Sequence, residues 1–213
     1  MVLKNDDLAM REIARKLKNF KGNVSLLDIG SDEEHLRELL PKNVVYKSLD
    51  YKGEHDYVRN LDDLPLKINE KFDVVVALEV LEHTINPHAV MEEILKLSKP
   101  DTVFFLSMPN EYNFYCRLNF LLGKKTSVQE PFQVVNKHLH IHQPRVKDVL
   151  KFFSQYVKIQ KVHYCWYSRT SEHGKGIKKN LSRGLDKVFN LFSKFWPSMF
   201  TRSVMVVGVR KNG

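Results

Sequence analysis

The apolar positions along the first half of the chain fall into alternating helical and strand-like segments. Leu8, Ile13, Leu17 and Phe20 lie near one side of a helix over residues 6–19, and Lys21-Gly22-Asn23 breaks that pattern. The compact run Val24 to Ile29 then predicts a strand. It closes on Asp28-Ile29-Gly30, after which Ser31-Asp32-Glu33-Glu34 supplies an N-cap and acids in a first turn, predicting a helix through Leu40. Val44-Val45-Tyr46 opens a second strand that ends at Leu49-Asp50. Phe72 to Leu78 (FDVVVAL) is apolar without alternation, as in strands covered on both faces of a parallel sheet. NLDDLPL, between these two, is a polar connection with a short strand at most before it. A helical stretch split at Pro87 follows, and then a strand over Val103 to Ser107, stopped by Pro109-Asn110.

Residues 111–143 read as irregular or partly helical, carrying Leu118, Phe120, Leu121 and Leu122; connections of this length are usually functional. Beyond them lie a helix from Pro144 to Phe153, a strand from Tyr156 to Tyr167, a basic amphipathic helix over 174–196 and a last strand from Ser203 to Val209. Strands alternating with helices predict an α/β fold, a doubly wound parallel sheet with right-handed crossovers, its final returns pairing at a sheet edge.

Composition sharpens this picture. A chain of 213 residues that is 43% apolar and 28% charged is expected to form one globular domain, not a disordered chain. Cys116 and Cys165 are too few for a disulfide scaffold and lack metal-knuckle spacing. The N-terminus carries acids, unlike a secretory signal, and no apolar run approaches the roughly 20 residues that span a bilayer, so a cytoplasmic location is expected. Charge is segregated: residues 1–109 hold 15 basic and 20 acidic side chains, residues 110–213 hold 19 and 5. A net +14 on the second half would concentrate anionic substrates, nucleic acids or lipid headgroups, or serve solubility alone.

In doubly wound sheets ligands bind beyond the carboxyl ends of the strands, at the switch point. Here that point is Asp28-Ile29-Gly30-Ser31. Asp50 stands twenty residues after Gly30 at the end of the second strand, where a carboxylate can take both ribose hydroxyls of a nucleoside cofactor; otherwise both acids serve local turns.

LLDIGS, SLD, RNLDDLPL, FDVVVALEVLEH, KLSKPDTVFFLSMPNEYN, HLHIHQPRVKDVLKFF and SVMVVGVRK, in that order, resemble the motifs of class I S-adenosylmethionine-dependent methyltransferases. The resemblance runs over residues 24–210. It implies a Rossmann-like sheet of about seven strands, mostly parallel with an antiparallel edge strand, and S-adenosylmethionine as cofactor. Residues 1–23 would be an N-terminal helix, 24–110 the cofactor-binding half and 111–213 the substrate side. By position, Asp28 would lie near the methionine ammonium, Gly30 and Ser31 would let backbone approach the cofactor, Asp50 and Tyr51 would hold the ribose end, Asn60 and Leu61 would face the adenine, and Ala77, Leu78 and Glu79 would border the sulfonium. One departure stands out: the family's first motif continues with two more glycines, where this chain has Asp32 and Glu34. Their side chains would point outward from a helix, accept from the cofactor's ammonium, or close the site.

Glu79, Glu82 and His83 fall at i, i+3 and i+4, so on a helix they share a face that could hold a divalent cation, an arrangement that some quinone and small-RNA methyltransferases resemble; stabilisation of the turn by Glu82 and His83 is the stronger reading, and no metal is assigned. His138, His140 and His142 alternate along an extended segment, and His138 and His140 are the candidate general bases. Ile177, Leu181, Leu185, Val188, Phe192 and Phe195 recur at helical spacing among lysines and arginines. They predict either burial against the sheet or an interfacial helix meeting anionic lipid. The resemblance thus implies methyl transfer to a small-molecule or lipid- or glycan-linked acceptor, an anionic one suiting the basic half. A non-catalytic binding protein with a degenerate cofactor loop and a metal-assisted RNA ribose methyltransferase are the alternatives, nucleic acid being disfavoured because no recognition module is present.

Overall fold

A computed structural model describes residues 7–124, 140–166 and 176–211. Seven strands form one sheet among them: β1 (Val24–Ile29), β2 (Val44–Asp50), β3 (Tyr57–Val58), β4 (Phe72–Leu78), β5 (Ser98–Pro109), β6 (Val157–Cys165) and β7 (Ser203–Arg210). Their order is β3-β2-β1-β4-β5-β7-β6. The first five run parallel; β7 is antiparallel to both β5 and β6, so the antiparallel pairings lie at one edge, as expected. The helices are α1 (Asp7–Leu17), α2 (Pro87–Lys96), α3 (Phe114–Leu121), α4 (Val146–Tyr156), α5 (Gly176–Phe192) and α6 (Pro197–Phe200). None of the described helices is long and apolar enough to cross a membrane.

Strand pleating sends successive side chains to opposite faces, and each face has its own core. Leu27, Val75, Phe104 and Val206 pack with Met91 and Ile94 of α2 and Val149 and Phe153 of α4. Leu26, Val74, Phe105 and Met205 pack on the other face with Ile13 and Leu17 of α1 and with Leu36. Coverage on both sides explains why β4 carries no polar alternation. Asn86 starts α2 by accepting from Ala89 N–H at 3.1 Å, with Pro87 at the first helical position.

Between β1 and β2 the sequence reading is corrected. Residues 31–40 form turns and one 3-10 turn (Arg37–Leu39), not the expected helix. Gly30 N–H donates to Leu49 O at 2.8 Å and Asp32 N–H donates to the Asp50 carboxylate at 3.1 Å, drawing the chain back over the end of β2. These tertiary bonds outweigh the N-cap signal of Ser31. The chain makes the turn with left-handed backbone at Asp32 (φ 43°) and Glu34 (φ 55°), a conformation that no α-helix contains. The two non-glycine residues therefore sit at positive φ where the resembling family has glycines.

Of the two expectations for α5, burial of the apolar stripe against the sheet is not met: Ile177, Leu181 and Leu185 are exposed.

Strain at a non-glycine left-handed residue costs on the order of 1–3 kcal/mol, least for Asp and most for β-branched residues. Asp32→Gly is expected to raise unfolding stability by up to about 1 kcal/mol, and Asp32→Val to lower it by about 1–3 kcal/mol. Urea denaturation followed by circular dichroism reads both.

Candidate functional site

The parallel register sets Asp28 beside Ser48 and Ile29 beside Leu49, so the carboxyl ends of β1 and β2 deliver Gly30 and Asp50 to one crevice. Gly30 turns at φ 71°, and a Cβ there would come within 2.3 Å of Val80 Cγ2, so only glycine fits between β1 and the loop after β4. Asp50 stands at the rim, its carboxylate accepting from the N–H groups of Asp32 (3.1 Å) and Tyr51 (2.7 Å). Tyr51 is exposed, with Lys52 Nζ 5.0 Å from its ring centre. Asp28 is buried and accepts from the Tyr46 hydroxyl at 2.8 Å. Burial, reinforced by the Asp28 charge, pushes the Tyr46 phenol far up, so it stays a donor.

Ser31 is buried, its hydroxyl 3.2 Å from His55 Nδ1. Glu34 is engaged by Arg37 Nε at 3.1 Å and lies 3.4 Å from His55 Nδ1. Arg37 in turn covers the Tyr46 ring at 4.7 Å. The acid at position 34 is thus neutralised within the loop. Tyr46, His55 and Arg37 escaped the sequence reading because they stand outside the motifs. Only the strand period that places Tyr46, Ser48 and Asp50 on one face hinted at the first.

Asn60 is exposed, its side chain accepting from Asp62 N–H at 3.1 Å, whereas Leu61 turns its side chain into the core and can offer the crevice only backbone. Asp62 ties this loop to the turn after β4 by accepting from Ile85 N–H at 2.7 Å. Ala77 is fully buried, and Leu78 packs against the α1-side core. Glu79 leaves β4 with φ 53°, and its carboxylate accepts from the hydroxyls of Ser107 (2.8 Å) and Ser203 (2.6 Å).

That bend undoes the expected helical grouping of Glu79 with Glu82 and His83. The chain makes only a 3-10 turn over Leu81–His83, and Glu79 is drawn towards β5 and β7. His140 takes its place: one ligand atom each from Glu82, His83 and His140 lies within 4.8 Å of the others. Glu82 is fully buried. The His83 and His140 rings meet edge-on at 4.8 Å. Segment 140–142 is docked on this turn, the N–H groups of Ile141 and His142 donating to Glu82 O at 2.8 and 3.1 Å. His140 Nδ1 lies 2.5 Å from Glu111 Oε1, an orienting carboxylate that the sequence reading missed. With Nδ1 so engaged, Nε2 is the ring atom able to take a proton or a cation. His142 Nε2 is 2.9 Å from Thr84 O, a structural bond, and His138 lies outside the described residues.

A cavity of about 460 Å³ opens between α3, α4, β6 and α6, not over Gly30 and Asp50. Val146, Leu150, Tyr164 and Pro197 give it apolar walls, while Arg117, Arg145 and Lys147 give it positive charge. It adjoins the Glu111–His140 pair through two neighbours in sequence: Asn110 lines it beside Glu111, and Arg145 follows Pro144, whose carbonyl accepts from Glu111 N–H at 3.3 Å. Burial pushes both thiols up, Cys165 to about 11, so neither cysteine serves as a nucleophile here.

Comparison with known proteins agrees with this layout. A family model described as a methyltransferase domain matches residues 3–171. A ubiquinone biosynthesis O-methyltransferase of Glaesserella parasuis serovar 5 is 44% identical over 41 residues, which is 19% of this chain and only 17% of the relative's length. Among solved structures, a SAM-dependent methyltransferase from Archaeoglobus fulgidus superposes with a TM-score of 0.54 at 16% identity, covering 98% of this chain and 96% of that one. The N-methyltransferase NodS from Bradyrhizobium japonicum WM9, in complex with S-adenosylhomocysteine, gives 0.57 at 11% identity, covering 98% and 89%. Gly30 and Asp50 stand side by side at the switch point of the same fold, and with more than half of the sequence matched, the chain belongs to the methyltransferase-domain family.

Proposed function

We propose that the methyl group goes to an oxygen of an amphipathic, anionic acceptor, either a small molecule or the head of a lipid- or glycan-linked one. The observation that carries this reading is the adjacency of the Glu111–His140 pair to a cavity whose walls are apolar and whose charged residues are all cations. Asp28, Gly30, Ser31, Asp50, Tyr51, Asn60 and the backbone from Ala77 to Glu79 would bind the cofactor along the carboxyl ends of β1, β2 and β4. The sulfonium is already an activated donor, so the protein's tasks are to exclude water, to align the acceptor about 3 Å from the methyl carbon and to remove a proton. His140 Nε2 takes the acceptor's hydroxyl proton as the C–O bond forms and the C–S bond breaks, leaving S-adenosylhomocysteine. Glu111 stabilises the imidazolium that results. The short match to proteins named O-methyltransferases of ubiquinone biosynthesis favours oxygen.

A second reading rests on Glu82, His83 and His140, whose clustering would suit a divalent cation that lowers the acceptor hydroxyl's pKa directly. Chelation separates the two: a free imidazole base is indifferent to EDTA, whereas a metal site loses activity and recovers it with added cation.

Transfer of labelled methyl from S-adenosylmethionine into bacterial extracts, partitioned between butanol and water and then by anion exchange, tests the acceptor class. Label in acidic species is expected; label confined to neutral or cationic species, or to nitrogen, contradicts the proposal. His140→Asn is expected to lower kcat by about 10²–10⁴-fold, read as methyl transfer at saturating acceptor, while binding of S-adenosylhomocysteine is unchanged. Arg117→Ala with Lys147→Ala is expected to raise the acceptor KM about tenfold or more with little effect on kcat.

A further inference from the structure

Helix α5 is built inside out. Its inward face is mostly polar and firmly held: Asn190 accepts from Trp166 N–H at 2.7 Å and donates to Trp166 O at 2.7 Å, and the Ser193 hydroxyl donates to Asn190 O at 2.8 Å. Ser193 is buried, and Phe189 meets Trp166 edge-on with ring centres 4.7 Å apart. The apolar stripe lies on the opposite side. Ile177 is 87% exposed, Leu181 67%, Leu185 50%, Val188 46% and Leu191 55%. At about 100° per residue these side chains cover an arc of roughly 120° facing directly away from the sheet. Exposed Lys178 and Lys187 flank it.

The exposed apolar surface continues beyond the helix. Phe195 and Trp196 are exposed just after it, beside Lys194. The end of α3 presents Phe120 at 82%, Leu121 at 81% and Leu122 at 58% exposure, followed by exposed Lys124. The two helices belong to one cap, for the Phe114 ring of α3 lies 6.4 Å from Phe189 of α5 and 6.2 Å from Phe200 of α6.

We propose that the outward stripe of α5, together with the tip of α3, seats this protein on the surface of an anionic lipid bilayer. Side chains that end in rings and branched methyls, flanked by lysine and arginine, match the boundary between acyl chains and headgroups, where apolar groups sink and the long basic side chains reach back to phosphate. A patch this large is not left to water in an ordinary soluble domain. Charge selects the occupant: a second copy would bring two basic rims together, whereas acidic headgroups neutralise them. The same cap borders the cationic cavity, as Arg117 of α3 and Pro197 and Ser198 of α6 line it. The docking itself does not depend on which acceptor that cavity takes.

Co-sedimentation of the full chain with phosphatidylcholine vesicles, with and without about a third phosphatidylglycerol, tests this. Saturable binding to the anionic vesicles is expected, about tenfold or more tighter than to neutral ones, with a blue shift of Trp196 emission. Leu181→Glu with Leu185→Glu alters exposed positions only, so the variant should keep its circular dichroism and its stabilisation by S-adenosylhomocysteine while vesicle binding falls about tenfold or more. Lys178→Glu with Lys187→Glu should erase the preference for anionic lipid. The proposal is overturned by an absence of vesicle binding, by equal binding of the Leu181→Glu, Leu185→Glu variant, or by light scattering that finds a dimer dispersed by those substitutions.

Discussion

The parallel pairing of β1 with β2, and the backbone bonds that fold the intervening turn over the end of β2, underlie everything else in this molecule. Register alone places Ile29 against Leu49 and hence Gly30 next to Asp50. Gly30 N–H on Leu49 O and Asp32 N–H on the Asp50 carboxylate then hold the turn over the crevice proposed to take the cofactor. A crevice made this way is specified mostly by main chain, and so it tolerates side chains that the family's glycine pattern would seem to forbid. Asp32 and Glu34 adopt the left-handed conformation of the missing glycines, and Glu34 is held by Arg37 beside His55. The strain at these two positions is offset by the bonds the turn makes, which is how functional turns generally persist.

Much of the fold was legible because β4 and β7 are continuous apolar runs with clear stops, and buried strands have few other ways to look. The crossover after β1 was misread for a definite reason: Ser31 followed by three acids is a sound local helix start, and no local pattern reveals that Asp50, eighteen residues away, captures the amide of Asp32. The same limit applied at Glu79. Its spacing to Glu82 and His83 is helical in sequence, but a left-handed turn and the hydroxyls of Ser107 and Ser203 remove it from that face. His140 was chosen from its alternation with neighbouring histidines. Its partner Glu111 lies twenty-nine residues away and could be found only by folding the chain. For α5 the sequence gives amphipathicity without direction, and the bonds of Asn190 to Trp166 decide that the apolar side faces outward.

The division of charge along the chain has a structural counterpart. The acidic first half builds the crevice at the carboxyl ends of β1 and β2. The basic second half supplies the cations that line the cavity and those of the α3–α5 cap. The Glu111–His140 pair stands where the two meet, above the ends of β4 and β5.

Calorimetric titration of the purified chain with S-adenosylhomocysteine, alongside Asp50→Ala, tests the central claim most directly. One site per chain is predicted, with a stabilisation of about 2.7 kcal/mol at a hundredfold excess of ligand over Kd, and with affinity reduced about tenfold or more in Asp50→Ala. No heat and no rise in Tm at millimolar ligand, or equal affinity in the two proteins, would contradict a cofactor crevice built on Gly30 and Asp50.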